Sequence, residues 1–177
     1  MNKNYTASLD RLSTLITAGV GLLFIGIGFC LFFLPENAPD SAMGKMIPSL
    51  INLFNISIFL FCYLFRPLGY VLSDENLVIR RYFLPRFFAY SEIAEVRPIP
   101  REDLRWTMRT FGNGGVFGYY GKFYHTAFGA MTWFASRRDH YVLIILKDGR
   151  KIIVTPDDLN FVNDLSSQLT NVNTLKL

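Results

Sequence analysis

The sequence predicts two transmembrane α-helices followed by a mainly-β domain of about seven antiparallel strands in two sheets, closed by a C-terminal helix. Three observations carry this. Two uncharged apolar stretches, LSTLITAGVGLLFIGIGFCLFFL (12–34) and IPSLINLFNISIFLFCYLF (47–65), lie ahead of Arg66. Each comes close to the roughly 20 apolar residues that cross a bilayer. From Arg66-Pro67 onward apolar residues recur with period two, as in half-buried strands, and after Thr155 they recur at helical spacing. The 177 residues therefore divide into an N-terminal two-helix hairpin over 1–66 and a β domain over 67–177.

The first apolar run is far longer than the 7–15 residue core of a cleaved signal sequence, and no small-residue cleavage pattern follows it, so it reads as a retained anchor. Gly19, Gly21, Gly26 and Gly28 would let a second helix approach its backbone closely. In the second run, Pro48 is expected in the first helical turn, where a missing N–H costs little. Asn52 and Asn55, three residues apart, share one helical face and should turn toward the first helix, since an amide facing lipid is costly. Lys3 and Arg11 precede the first run. Lys45 alone lies in the connecting loop PENAPDSAMGK, and Arg66, Arg80, Arg81 and Arg86 follow the second run. Positive charge is retained on the cytoplasmic side, which predicts both termini inside and a short loop outside. Cys30 and Cys62 would differ in depth by roughly 15–20 Å at the rise of a helix. That is beyond the reach of a disulfide, so they read as small apolar residues.

Past residue 66, GYVLS (69–73) and NLVIRRYF (76–83) flank Asp74-Glu75 as a hairpin. RFFAYSEI (86–93) and AEVRPI (94–99) follow, and REDLRWTMRTF (101–111) reads as strand toward its end. AMTWFAS (130–136) alternates again. HYVLIIL (140–146) and RKIIV (150–154) flank Lys147-Asp148-Gly149, the strongest hairpin signal in the chain. Thr155-Pro156-Asp157-Asp158 then reads as a helix start. Thr155 is the expected N-cap, Pro156 takes the first helical position, and Asp157 and Asp158 complement the positive helix end. Leu159, Val162, Leu165 and Leu169 line one face of that helix. A small antiparallel barrel or a bent sandwich with its open end covered by the helix satisfies this order of elements.

Between these strands lies TFGNGGVFGYYGKFY (110–124), with Gly112, Gly114, Gly115, Gly118 and Gly121 among six aromatics. A P-loop would need a hydroxyl after Gly121-Lys122, where Phe123 stands, and a dinucleotide fingerprint would need glycine at position 117, where Phe117 stands. Nucleotide binding is thereby excluded. Two readings stay open. The glycines can permit positive φ and close crossing of strands. Alternatively, the aromatics, too many for a core of this size, can form a contact surface. Lys122, Arg137 and Arg138 stand beside Phe117, Tyr119 and Tyr120 as candidates for that surface. Ten basic residues face four acidic ones between Arg80 and Arg138, within a net charge of +4. A basic surface of this kind is attracted to an anionic leaflet. His125 and His140 have no Glu or Cys at ligand spacing, and Asp157 and Asp158 do not converge on a helix. Ser13, Ser73 and Ser91 lack a nucleophile context, and no nucleic-acid motif is present. No catalytic residue, metal or cofactor is expected.

Tyr70-Val-Leu-Ser-Asp-Glu-Asn-Leu-Val-Ile79 followed by Phe88-Ala-Tyr-Ser-Glu-Ile-Ala-Glu-Val96 resembles the opening of bacterial pleckstrin-homology-like domains. The glycine-aromatic segment and the run from Lys147-Asp-Gly to Thr-Pro-Asp-Asp158 are similar to a membrane-anchored subgroup of that family. The resemblance, over roughly 67–170, implies two near-orthogonal sheets of seven strands capped by the C-terminal helix, and no single ligand. With the apolar spans ahead of it, the expectation is a non-enzymatic binding module held in the bacterial inner membrane. The resemblance does not extend to the basic first hairpin of phosphoinositide-binding relatives, since Ser73-Asp74-Glu75-Asn76 is acidic here. The expectation is recruitment or regulation of a protein partner at the cytoplasmic face. The alternative is direct binding of an anionic lipid surface by the basic face.

Overall fold

The computed structural model of the protein describes residues 2–32 and 42–174. The element order is β1 (Lys3–Thr6), α1 (Arg11–Phe32), α2 (Ala42–Phe65), β2 (Gly69–Leu72), β3 (Asn76–Arg80), β4 (Arg86–Ala89), β5 (Ile93–Ile99), β6 (Met108–Gly115), β7 (Gly118–His125), β8 (Gly129–Ala135), β9 (Tyr141–Leu146), β10 (Lys151–Val154) and α3 (Asn160–Thr174). Short 3-10 turns at Tyr90–Glu92 and Arg101–Leu104 lead into β5 and toward β6.

Helices α1 and α2 are long and apolar enough to cross a membrane, and their apolar side chains, such as Leu22, Ile25, Phe54 and Ile56, are exposed. They pack on each other through Phe24 and Phe59, edge to face at 6.2 Å. Asn52 faces α1 as expected: a Cβ added at Gly28 would sit 3.1 Å from its Oδ1, so the glycine makes room for the amide. Helix α2 begins at Ala42, earlier than expected, so Pro48 lies inside the helix rather than in its first turn. Residues 33–41, which hold the end of the first predicted span and most of the connecting loop, lie outside the described residues.

The β domain has ten strands among the described residues, in two sheets ordered β1-β2-β3-β4 and β5-β9-β10-β8-β7-β6. All pairings are antiparallel except β8 with β10. The arrangement is an open sandwich, not a barrel. Beta4 and β5 lie in different sheets, the 3-10 turn at Tyr90–Glu92 carries the chain across, and no described strand pair joins the two. The strands of the small sheet are only four or five residues long, too short to curl round and meet the large one.

Strand β1 spans Lys3–Thr6, ahead of both long helices. It precedes α1 yet pairs with β2, Tyr5 opposite Tyr70, so residues 3–6 belong to the small sheet. Gly69 permits the pairing, because a Cβ there would meet the Tyr5 carbonyl. Lys3 forms an ion pair with Asp164 of α3 at 2.7 Å, and the Tyr5 hydroxyl donates to the same carboxylate. The Ser8 N–H donates to Asp157. The segments entering α1 and leaving α2 are thus neighbours in one sheet.

The main core lies between the sheets and α3. Tyr70, Leu72, Leu77 and Ile79 meet Val142, Ile144, Ile152 and Val154, and Phe161 and Leu165 close one end. Tyr70 is fully buried but satisfied: its hydroxyl donates to the Phe134 carbonyl at 2.6 Å and accepts the Thr155 N–H at 3.0 Å. Thr155 is not the N-cap of α3, which begins at Asn160. Its buried hydroxyl accepts the Ser136 N–H at 2.9 Å, which commits it to the end of β8. Asp158 stands at the helix start, where its Oδ1 accepts the Asn160 N–H at 2.9 Å.

Candidate functional site

The glycine-aromatic segment is a β-hairpin, β6 and β7, turning at Val116-Phe117. Gly112 and Gly121 sit opposite each other at φ +110° and +126°, and a Cβ on either would run into the other strand's backbone. That close crossing kinks the hairpin and brings its tip against both long helices. The Ser13 hydroxyl of α1 donates to the Gly115 carbonyl at 2.7 Å, and the Phe117 N–H donates to Thr17 Oγ1 at 2.8 Å. A Cβ at Gly115 would lie 2.7 Å from Ile16. On the α2 side, Phe117 packs edge to face on Phe59 at 4.9 Å and on Tyr63 at 5.3 Å. The Tyr120 hydroxyl donates to the Cys62 carbonyl and accepts from Asn113.

These contacts overturn part of the surface expected from the sequence. Tyr119 is only 2% exposed, within the outer cluster of the large sheet, while Tyr120 and Phe117 pack against α2 in the joint between helices and domain. Arg137 is committed to Asp139 and to Asp157, the latter at 2.9 Å. Lys122 is exposed and donates to Thr132 Oγ1 at 2.9 Å. Arg138 is exposed too, with its guanidinium 4.7 Å above the Tyr119 ring. The candidate cations do not converge: Arg138 and Lys122 line different concavities on the two sides of the hairpin.

The concavity at Arg138 has a volume of about 660 Å³ and lies against the outer face of the large sheet. Its floor is aromatic: Tyr119, Phe123, Trp133 and Tyr141, with Phe123 and Trp133 stacked at 4.5 Å. Its rim is cationic, with Arg101, Arg105, Arg109 and Arg138 against the single acid Glu102. Arg109 lies over Gly114, where a Cβ would come within 2.9 Å of its Nη1. Among the described residues none of these four arginines has a carboxylate within ion-pair distance. Thr107 Oγ1 and Trp133 Nε1, on two residues lining the same space, are buried without a hydrogen-bond partner among the described residues. Trp106, 77% exposed, stands next to the rim beneath the Arg105 guanidinium.

Burial pushes the Tyr119 phenol up to about 12, with Arg138 opposing and Asp10 assisting. Burial raises Tyr141 as well, against Arg138 and Arg101. At neutral pH the two phenols of the floor are therefore uncharged. The pocket supplies hydrogen-bond donors and flat apolar surface, which suits an anionic group joined to an apolar or planar body. Among the described residues no cluster of His, Cys, Asp or Glu could hold a metal ion. The Ala127 N–H donates to His125 Nδ1, a local turn contact.

Sequence reading missed Arg101, Arg105, Arg109, Trp106 and Trp133 as site residues. The signal was the interleaving of bases and aromatics in REDLRWTMR, with arginines four residues apart. It was obscured because a 3-10 turn and a strand, not one helix, bring those arginines to a common rim.

Compared with known families, residues 68–169 match the one described as Bacterial PH domain. No curated protein and no solved structure matches the chain.

Proposed function

The chain belongs to the bacterial PH domain family, and we propose that it is a non-enzymatic, membrane-anchored binding module that recruits an acidic protein partner through the arginine-rimmed pocket. PH domains are generally binding modules without catalysis. The observation that carries the reading is the rim itself: four arginines without an ion-pair partner among the described residues, around an aromatic floor and next to a nearly bare Trp106. Arginine and tryptophan are the side chains that most often dominate protein interfaces. The exposed edge strand β6 runs beside them with Met108 exposed. Met108 lies seven residues, or about 23 Å at strand rise, from the hairpin tip at Gly115, so this end of the pocket stands clear of the helices.

The anchor is the helix pair, placed in the bacterial inner membrane with both termini cytoplasmic. Two observations support it: the exposed apolar surface of α1 and α2, which water would penalise, and the basic residues that flank them. The pairing of β1 with β2 supports a common side for the two flanks. In this reading the N-terminal unit extends only from the end of β1 to residue 66, and the binding domain comprises residues 3–6 together with 67–177.

A second reading is direct binding of an anionic lipid surface, and one observation favours it. Arg138 lies at the membrane-side end of the pocket, where its N–H donates to Asp10, the residue just ahead of α1, at 3.1 Å. A photo-crosslinking residue in place of Trp106, in the full-length chain in cells, separates the two. We expect a discrete protein adduct that disappears when Arg101, Arg105 and Arg109 are changed to Glu. Adducts to lipid alone would support the second reading. An active probe that captures neither would remove this face as a binding surface.

A further inference from the structure

On the other side of the β6–β7 hairpin, a groove of about 480 Å³ opens between the edges of the two sheets at the end of α2. Phe61 and Phe65 of α2 form one wall, and Phe87 of β4 and Phe111 of β6 face it. Phe61 is exposed on the helix surface, so the apolar wall of the groove is continuous with the lipid-facing side of α2. The mouth is held at the level of the helix end by the loop between β3 and β4. Tyr82 stacks on Tyr63 at 5.0 Å, Phe83 meets Phe65 at 5.4 Å, and the Phe83 N–H donates to the Leu64 carbonyl at 3.0 Å.

The same mouth is cationic. Arg81, Arg86 and Lys122 line it, with Glu92 as the one carboxylate, while Arg150 is engaged by Asp148 at 2.6 Å. Arg81 is the telling residue. Its guanidinium lies between the rings of Phe65, at 5.5 Å, and Phe134, at 5.4 Å. One terminal nitrogen donates to the Leu84 carbonyl, but Nε is buried without a partner, and among the described residues no carboxylate pairs with it. Burial, and then the charge of Arg86, pull its pKa below the ordinary arginine value. A desolvated cation at the mouth of an apolar slot calls for an anion that carries an apolar body.

We infer that this groove holds one anionic phospholipid drawn from the adjoining leaflet, with its acyl chain against Phe61, Phe65 and Phe111 and its phosphate on Arg81, Arg86 and Lys122. The occupant is a lipid because the groove continues the bilayer-facing surface of α2, and an anionic one because the mouth carries three cations against one acid. The inference rests on the reading that α1 and α2 cross a bilayer.

The test uses the full-length protein purified in dodecyl maltoside, stripped of lipid and titrated with phosphatidylglycerol or phosphatidylcholine. Native mass spectrometry should find one phosphatidylglycerol retained per chain, with at least a tenfold preference over phosphatidylcholine. Arg81→Gln should lower retention most. Because Arg81 is packed, the exposed pair Arg86→Gln and Lys122→Gln serves as the second variant, with an expected loss of at least fivefold and unchanged folding. Phosphatidylglycerol with brominated chains should quench the added fluorescence of a Phe111→Trp variant and saturate at one equivalent. Equal retention of the two lipids, or retention indifferent to both charge variants, overturns the proposal. Alkaline extraction of native membranes separates the two ways of failing. Release of the chain into solution refutes the anchor and the groove together, whereas a chain that stays embedded yet shows no lipid preference refutes the groove alone.

Discussion

At the scale of single residues, the hairpin depends on Gly112 and Gly121. Their positive φ and mutual approach leave no room for a side chain. Gly121→Ala should destabilise the full-length protein by roughly 1–3 kcal/mol, seen as a lowered melting temperature in detergent. Asp157 makes a second test. Burial opposes its ionisation, yet hydrogen bonds from Ser8, Thr6 and Arg137 outweigh that and hold its pKa below the ordinary value. A folded-state pKa depressed in this way contributes stability above the unfolded value of about 3.9, and the contribution is lost as pH falls through the folded value. Amide exchange at Ser8 should therefore quicken as pH drops below about 4 relative to the intrinsic rate, and Asp157→Asn should flatten that dependence. The neighbouring Thr155 shows a limit of local reading. Its cap signature before Pro156 was clear in the sequence, but the buried Ser136 and Tyr70 compete for the same residue, and those partners are remote in the chain.

At the scale of elements, the β6–β7 hairpin is the fastening between the two long helices and the β domain. Ser13→Ala with Thr17→Val removes the acceptor of the Phe117 N–H and the donor to Gly115. At about 0.5–1.5 kcal/mol per hydrogen bond, exchange of the amides at 115–118 should rise roughly tenfold or more, while amides of β9 and β10 keep their protection. Other elements were legible to different degrees. The Asp148-Gly149 turn announced β9 and β10, and the spacing of Leu159, Val162, Leu165 and Leu169 announced α3, although Leu159 falls just ahead of the helix and is exposed while Phe161 takes the buried position. Beta1 did not announce itself. KNYT has four residues and one buried side chain, too short for a period to appear, and its partner strand lies past both long helices. The glycine segment was ambiguous because its aromatics divide three ways: Phe117 and Tyr120 pack against α2, Tyr119 and Phe123 join the outer cluster of the large sheet, and Phe111 and Tyr124 stay exposed.

At the scale of the whole molecule, β1 paired with β2 and the hairpin tip seated on both helices join the helix pair and the β domain. Such a domain cannot swing away from the helices, so the arginine face and the groove keep fixed positions relative to them. The basic excess between Arg80 and Arg138 was visible in the sequence, but its division between two concavities was not, since the hairpin that separates them is a tertiary feature. Arg101→Glu with Arg105→Glu and Arg109→Glu should abolish partner capture at Trp106. The same changes should alter stability by no more than about 0.5 kcal/mol per site, because all three side chains are exposed and none is ion-paired among the described residues. The fastening itself has a direct test. Ile16→Cys and Gly115→Cys, in a chain whose Cys30 and Cys62 are replaced by alanine, place two thiols where a Cβ at position 115 lies 3.7 Å from the Cβ of residue 16, the spacing a disulfide spans. Mild oxidation in native membranes should give a linked peptide in near-stoichiometric yield by mass spectrometry, as a fixed joint requires. If the helices stay in the membrane and both thiols remain free, the domain is not fastened to its anchor and the account is wrong.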